Sequence, residues 1–388
     1  MGNRQGMVNF QFLLSQGIAK LKSYFSCDLA PHIRQSIAAK NKWILLSAVR
    51  FSLAVWVLFA HTYNFGEEAR AIWVPSRNAL VAVYCFLAVS GFSIHHSITA
   101  RASGYMMRRF RRIVPIHIVS LCIALAAYGL AGDVIYDGFG NPWPFPSITK
   151  WIACALLLQI IFPVAIAVLF PAWSLSAEIV FYTLAPFLLK SKVRIPFLLI
   201  IGSEIFCVFR QMHATLYVGS DYYLIPAIAM LWAWLAGWIA YSAKKNIGFF
   251  LFCGQAGSVA IFADAGLSGW FNHAMWWSVL AIAFFDINFS INHVVARMVT
   301  YLGELSYPIY LLNYPIFFLL FNTVFKAYPD WNNGVTLSGV VFLASMLLYH
   351  GFDKPIRSMR INRQFVTSVA KLKPQIVGWV KRSVTHQV

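Results

Sequence analysis

The chain has 388 residues, 60% of them hydrophobic and only 11% charged, with a mean hydropathy of +0.66. That excludes an ordinary soluble domain, in which about a quarter of the residues are charged. The formal net charge of +18 would suit a nucleic-acid partner, but the lysines and arginines collect in short segments between apolar runs, which is the pattern of a polytopic helical membrane protein.

In chain order, residues 1–43 are polar and basic, with no cleavable signal peptide expected. Within them 9–40 is amphipathic and suited to lie on an acidic inner membrane face, as is 361–388 at the other end. Ten spans are predicted at about 44–63, 78–97, 114–131, 173–189, 195–210, 222–242, 247–263, 273–289, 304–324 and 335–352. With the N-terminus inside, the cytoplasmic segments 1–43, 98–113, 190–194, 243–246, 290–303 and 353–388 hold 25 of the 31 lysines and arginines, as the positive-inside rule requires. Residues 149–170 are apolar enough to cross, yet a crossing there would put Lys190, Lys192 and Arg194 outside and invert every later loop. The charge distribution therefore predicts a re-entrant or interfacial segment, broken at Pro163.

The expected fold is all-α, a membrane bundle of about ten helices with both termini inside. It comprises a basic cytoplasmic segment at 1–43, a membrane domain at 44–352 and a basic cytoplasmic tail at 353–388. The six cysteines (Cys27, Cys85, Cys122, Cys154, Cys207 and Cys253) are scattered singly. Without a C-x-x-C pair or metal-ligand spacing they read as packing residues, and no metal site is expected.

The first span, WILLSAVRFSLAVWVLFAHTYNF, carries Arg50 and His61. Eleven residues return to within about 20° of the starting direction and advance about 16 Å, so both lie on one face. Arg50 snorkelling inward and His61 marking the outer boundary is the plain alternative. In the AVSGF stretch that follows, Ser90 and Gly91 permit close helix packing. The run MMRRFRRIVPIH supplies Arg108, Arg109, Arg111 and Arg112. The R-x-x-R spacing of Arg109 and Arg112 sets two guanidinium groups on one helix face, suited to a polyphosphate, although topology alone or lipid phosphate also accounts for such a run.

WSLSAEIVFY places Ser174, Glu178 and Tyr182 four residues apart, as a polar stripe. A carboxylate in a membrane helix costs about 2.5–3.5 kcal/mol and demands a partner. Its expected depth, one turn inside the outer surface, matches that of His61. A His61–Glu178 pair is therefore predicted, the carboxylate setting the imidazole tautomer; a purely structural interhelical bond is the alternative. Trp173 alone reads as an interfacial anchor. In GELSYPIYLLNYPIF, Ser306, Tyr310 and Asn313 or Tyr314 form another stripe that lines a cavity or glues helices.

Taken in order, these motifs resemble the acyltransferase 3 family of integral membrane proteins over most of residues 44–360. Arg50 and His61 fit its Arg-x10-His motif, AVSGF its Ser-Gly-Phe segment, RRFRRIVP its R-x-x-R motif and WSLSAEIVFY its Trp-Ser-Leu signature, while LSYPIYLLNYP and FDKPIR resemble two C-terminal motifs. Four positions depart from it. Ser47 and Ala48 stand where many members have Asp-Gly, Asn313 where many have His, and Asp353 where Glu is common.

The resemblance implies a membrane O-acyltransferase that moves an acyl group, acetyl being expected, from cytosolic acyl-CoA to a hydroxyl of a cell-surface or exported polysaccharide or glycolipid. The implied catalytic residues are His61, as general base or transient acyl carrier, Glu178, which orients it, and Arg50. Arg109 and Arg112, with Arg108 and Arg111, would hold the coenzyme, and Trp173, Ser174, Tyr182, Tyr310 and Asn313 the acceptor. Acetyl-CoA is thus a co-substrate and no permanently bound cofactor is expected. The partners are a glycan or lipid-linked saccharide and membrane lipids, with no nucleic acid, and the location is a bacterial cytoplasmic (inner) membrane. A transporter or flippase for a glycan or its lipid-linked precursor is the rival class, disfavoured by the lack of repeated halves; a non-catalytic membrane subunit is a third.

Overall fold

The computed structural model describes residues 31–65, 79–162, 166–191, 194–213, 225–242, 247–284, 287, 289–327 and 334–359. Segments 9–30 and 361–388, Arg70, Arg77 and the expected break at Pro163 lie outside these residues. The helices are α1 (Pro31–Thr62), α2 (Ala79–Ala100), α3 (Tyr105–Ala131), α4 (Ile148–Ala155), α5 (Ala172–Lys190), α6 (Arg194–His213), α7 (Ile225–Ser242), α8 (Ile247–Phe284), α9 (His293–Asn322), α10 (Val324–Ala327), α11 (Gly334–Leu348) and α12 (Lys354–Ser358). A small antiparallel hairpin, β1 (Val134–Tyr136) with β2 (Pro142–Pro144), follows α3. Among the described residues seven helical stretches are long and apolar enough to cross a membrane: Lys40–Thr62 of α1, α2, α3, α5, α7, His293–Lys326 and Gly334–Ser358. The protein is an all-α membrane bundle. Gly266, with φ 63°, divides α8 into two limbs, a conformation that glycine adopts without the Cβ penalty.

Helix ends differ from the hydropathy reading in a consistent way. α1 runs unbroken through the expected boundary at 43/44. The segment 98–113, expected as a loop, is helical from Tyr105. α9 begins at His293, where the Asn292 side chain accepts the Val294 amide at 2.8 Å and supplies the N-cap. Apolar runs measure the hydrocarbon layer, whereas backbone hydrogen bonding carries a helix on past it.

The described part of 149–170 does not form one continuous helix. The eight-residue α4 gives way to turns, with Leu157 at φ 55°, and then to a 3-10 turn at Ala167–Leu169. Non-helical backbone at membrane depth must be satisfied by protein, and Ser176 of α5 does this: its hydroxyl accepts the Ile160 amide at 3.1 Å and donates to the Leu157 carbonyl at 2.7 Å.

Three glycines set the helix crossings. A Cβ on Gly91 of α2 would fall 1.9 Å from the Trp234 carbonyl oxygen of α7, and one on Gly237 of α7 would fall 1.8 Å from that of Ala88. On the other side of the bundle, a Cβ on Gly303 of α9 would fall 2.5 Å from the Ser47 Cβ of α1. Small residues at such points let backbones approach closely, which takes the place of the hydrophobic drive that lipid does not supply. The expected close packing at Gly91 is therefore present.

This geometry predicts that Gly91→Ala lowers the thermal stability of the detergent-solubilised protein by about 1–3 kcal/mol, the cost of overpacking. Gly339→Ala in α11, where nothing lies within 4 Å, should be neutral or gain up to about 1 kcal/mol from helix propensity.

Candidate active site

Helices α1, α2, α3, α5 and α9 enclose a chamber of about 100 Å³. Its polar lining comprises Arg50, Ser90, Ser93, Arg109, Arg112, Ser174, Glu178, Tyr182, Ser306, Tyr307 and Tyr310. Arg50, Ser93, Arg109 and Arg112 also line a wider, more open mouth of about 420 Å³, to which Trp43, His96, Arg101, Arg108 and Glu304 contribute. The chamber therefore communicates with the basic end of the bundle.

The helical register of α3 explains which arginines point inward. Arg109 and Arg112 share a face and line both spaces. Arg108 curls back to donate to the Ser103 carbonyl at 2.6 Å and to that of Arg101. Arg111 donates to the Met359 carbonyl at 2.5 Å. Arg108 and Arg111 thus spend donors on backbone, while the guanidinium Nε atoms of Arg50 and Arg109 are buried with no partner. Tyr105 and Tyr182 hold Arg109 over their rings, at 5.8 and 6.0 Å from the centroids, an arrangement favourable to the cation. Buried, unpaired N–H donors are costly, and here they border a space that an anionic group can enter.

Glu178 belongs to this chamber. The Ser90 hydroxyl donates to its Oε1, and Tyr182, one turn along α5, lines the chamber beside it. The predicted His61–Glu178 pair does not form. His61 is the penultimate residue of α1, whereas Glu178 lies about 9 Å along α5 from its first residue, so the two depths do not match.

His61 pairs instead with α9. Its Nδ1 lies 2.9 Å from the Asn313 Oδ1, and the Tyr314 ring meets it edge-on at 4.4 Å between centroids. Tyr314 is held in turn by the Asn64 side chain, which donates to its hydroxyl at 2.6 Å. The Ser174 and Tyr310 hydroxyls bond to each other at 2.7 Å and join α5 to α9 at the chamber wall. Asn313 lies three residues beyond Tyr310, about 4.5 Å further along the axis. Trp173 is buried in the core, so it is not a lipid-facing anchor, and it lies outside the chamber lining.

Two residues that the sequence reading did not single out bear on the mouth. Glu304 faces it and is ion-paired with Arg357, whose guanidinium also pairs with Asp353, fully buried at 0% exposure. The signal was present in GELSYP and FDKPIR as two acids and one arginine near span ends, but their meeting depends on α9, the π-helical turn Tyr349–Asp353 and α12 coming together.

Residues 44–350 match the family model Acyl_transf_3, described as an acyltransferase domain. The chain belongs to the acyltransferase 3 family. It is an acyltransferase, moving a group other than an aminoacyl group, and the match runs from within α1 through α11, so that it takes in every residue of the chamber. No curated protein and no solved structure matches the chain.

For this acyltransferase the Arg357 contacts predict that Arg357→Ala, which leaves Asp353 buried without its cation, costs about 3 kcal/mol of stability. The double change Asp353→Asn/Arg357→Gln should restore most of that loss in thermal unfolding. An Arg357→Ala protein as stable as wild type would show that the pair does not hold this end together.

Proposed function

We propose that the protein transfers an acyl group, acetyl in the simplest case, from cytosolic acyl-CoA to a hydroxyl of a cell-surface or exported polysaccharide or glycolipid. The observation that carries this reading is the chamber itself: buried, unpartnered guanidinium N–H donors of Arg50 and Arg109 open onto a mouth lined by Arg101, Arg108 and Arg112. That is a site for a polyanionic donor. The positive-inside rule makes the basic end cytoplasmic. Ten crossings, with both termini inside, follow if α6 and the two limbs of α8 join the seven qualifying stretches. The setting is then the cytoplasmic membrane of a bacterium.

In this reading Arg109 and Arg112 hold the coenzyme phosphates, and the pantetheine arm runs into the chamber past Arg50. His61, about 16 Å along α1 from Arg50, stands toward the opposite face, where the glycan or lipid-linked acceptor arrives. A sugar hydroxyl is a poor nucleophile until a base takes its proton, and His61 is that base. Ser174, Tyr182 and Tyr310 flank the acyl end. Glu178, beside Ser90 and Tyr182, supplies the one carboxylate among the chamber's three arginines.

Purified protein incubated with radiolabelled acetyl-CoA and the host glycan should label the glycan, and His61→Ala should abolish the transfer. Arg109→Gln and Arg112→Gln should each raise the KM for acetyl-CoA about tenfold, the loss of one charge-assisted contact, while leaving that for acetyl-pantetheine unchanged. Undiminished labelling by His61→Ala, or equal KM changes for both donors, would overturn the assignment.

A further inference from the structure

Asn313 is fully buried, and the direction of its amide follows from its surroundings. Its Nδ2 donates to two backbone carbonyls of its own helix, those of Ile309 at 3.1 Å and Tyr310 at 2.9 Å. A flipped amide would aim its oxygen at both carbonyls and leave two acceptors facing a third, so the network assigns the oxygen to the His61 side. An amide oxygen only accepts. The His61 Nδ1, 2.9 Å away, must therefore carry the hydrogen, and in a neutral imidazole the lone pair is then on Nε2. The Tyr314 ring, edge-on to the imidazole and anchored by Asn64, opposes rotation that would exchange the two nitrogens.

We propose that Asn313 is the positioning residue of the reaction: it fixes His61 as the Nδ1–H tautomer and reserves Nε2 for the proton of the acceptor hydroxyl. This rests on the proposed role of His61 as base. As the acceptor oxygen forms its bond to the thioester carbonyl carbon, its proton passes to Nε2. When the tetrahedral adduct collapses, the C–S bond breaks, its electron pair leaves on sulfur, and Nε2 returns the proton to the thiolate. Throughout, Nδ1–H stays bonded to the Asn313 oxygen, which gains no proton and brings no charge into the bundle. Asn313 touches neither donor nor acceptor in this scheme and acts through the imidazole alone.

The test uses the full-length protein in detergent, with ¹⁵N-labelled histidine and the His61 ring signals identified by their loss in His61→Gln. The wild-type ring should show a protonated Nδ1 and an unprotonated Nε2; the reverse pattern overturns the proposal without any Asn313 variant. Asn313→Leu, close in shape but with no acceptor, should release the tautomer and lower kcat about a hundredfold while the KM for acetyl-CoA stays within twofold. Asn313→Asp, which keeps an acceptor facing Nδ1, should recover at least tenfold of that loss. A folded Asn313→Leu protein with wild-type kcat, or one whose activity falls while the ring keeps its wild-type tautomer, refutes the role of Asn313. If His61→Ala itself retains full activity, it is the base assignment that fails.

Discussion

Helices α1 and α9 lie along each other from the contact of Gly303 with Ser47 at one end to the hydrogen bond between Asn313 and His61 at the other. The close approach permitted by Gly303 has chemical consequences along the whole seam. It sets Arg50 opposite the turn carrying Ser306 and Tyr307, brings Tyr310 to the chamber wall and delivers Asn313 to the imidazole. Because α5 is joined to α9 by the bond between Ser174 and Tyr310, its carboxylate is placed by the same pairing. Each polar group on this seam would be expensive in lipid, and the helix contact replaces lipid with a partner.

The electrostatics of the chamber follow from an unequal division of labour among the arginines. Four cations in five positions of α3 look equivalent on paper, yet the helix turns two of them toward the interior and two toward backbone carbonyls. Arg108 closes the connection between α2 and α3, and Arg111 ties α3 to the residue after α12. Arg109 and Arg112 keep their charge for the chamber, where Glu178 balances only part of it. Arg357 is instead paired with Asp353 and Glu304. Positive charge that no carboxylate balances therefore lines the route from mouth to chamber.

How far these features could be read from the chain depended on whether one helix or two were needed. Single-helix properties were legible: the common face of Arg50 and His61, the R-x-x-R pair, the Ser174–Glu178–Tyr182 stripe, and the interruption of helix within 149–170. Pairings between helices were not. Ser90 and Glu178 are 88 residues apart and His61 and Asn313 are 252 apart, and no periodicity links such positions. Depth judged from apolar runs misled most clearly for Glu178. Pairing it with His61 required both residues to lie equally far from the membrane surface, but the helices start and stop where capping and turns allow. Asn313, treated as an acceptor contact and a departure from the family pattern, proved to be the direct neighbour of the imidazole.

The bond between Ser174 and Tyr310 has a consequence for the membrane as a whole. A bundle with a water-accessible mouth on one side and a buried histidine near the other risks becoming a leak, since one elementary charge gains about 2.3 kcal/mol per 100 mV in crossing. Two hydroxyls bonded directly to each other, with aromatic Phe86 5.4 Å from the Tyr310 ring, stand in the chamber wall on the way to the turn of α9 that carries Asn313. The same bond that joins α5 to α9 thus lies between the chamber's arginines and the His61–Asn313 pair, and any charge moving from one to the other meets it first.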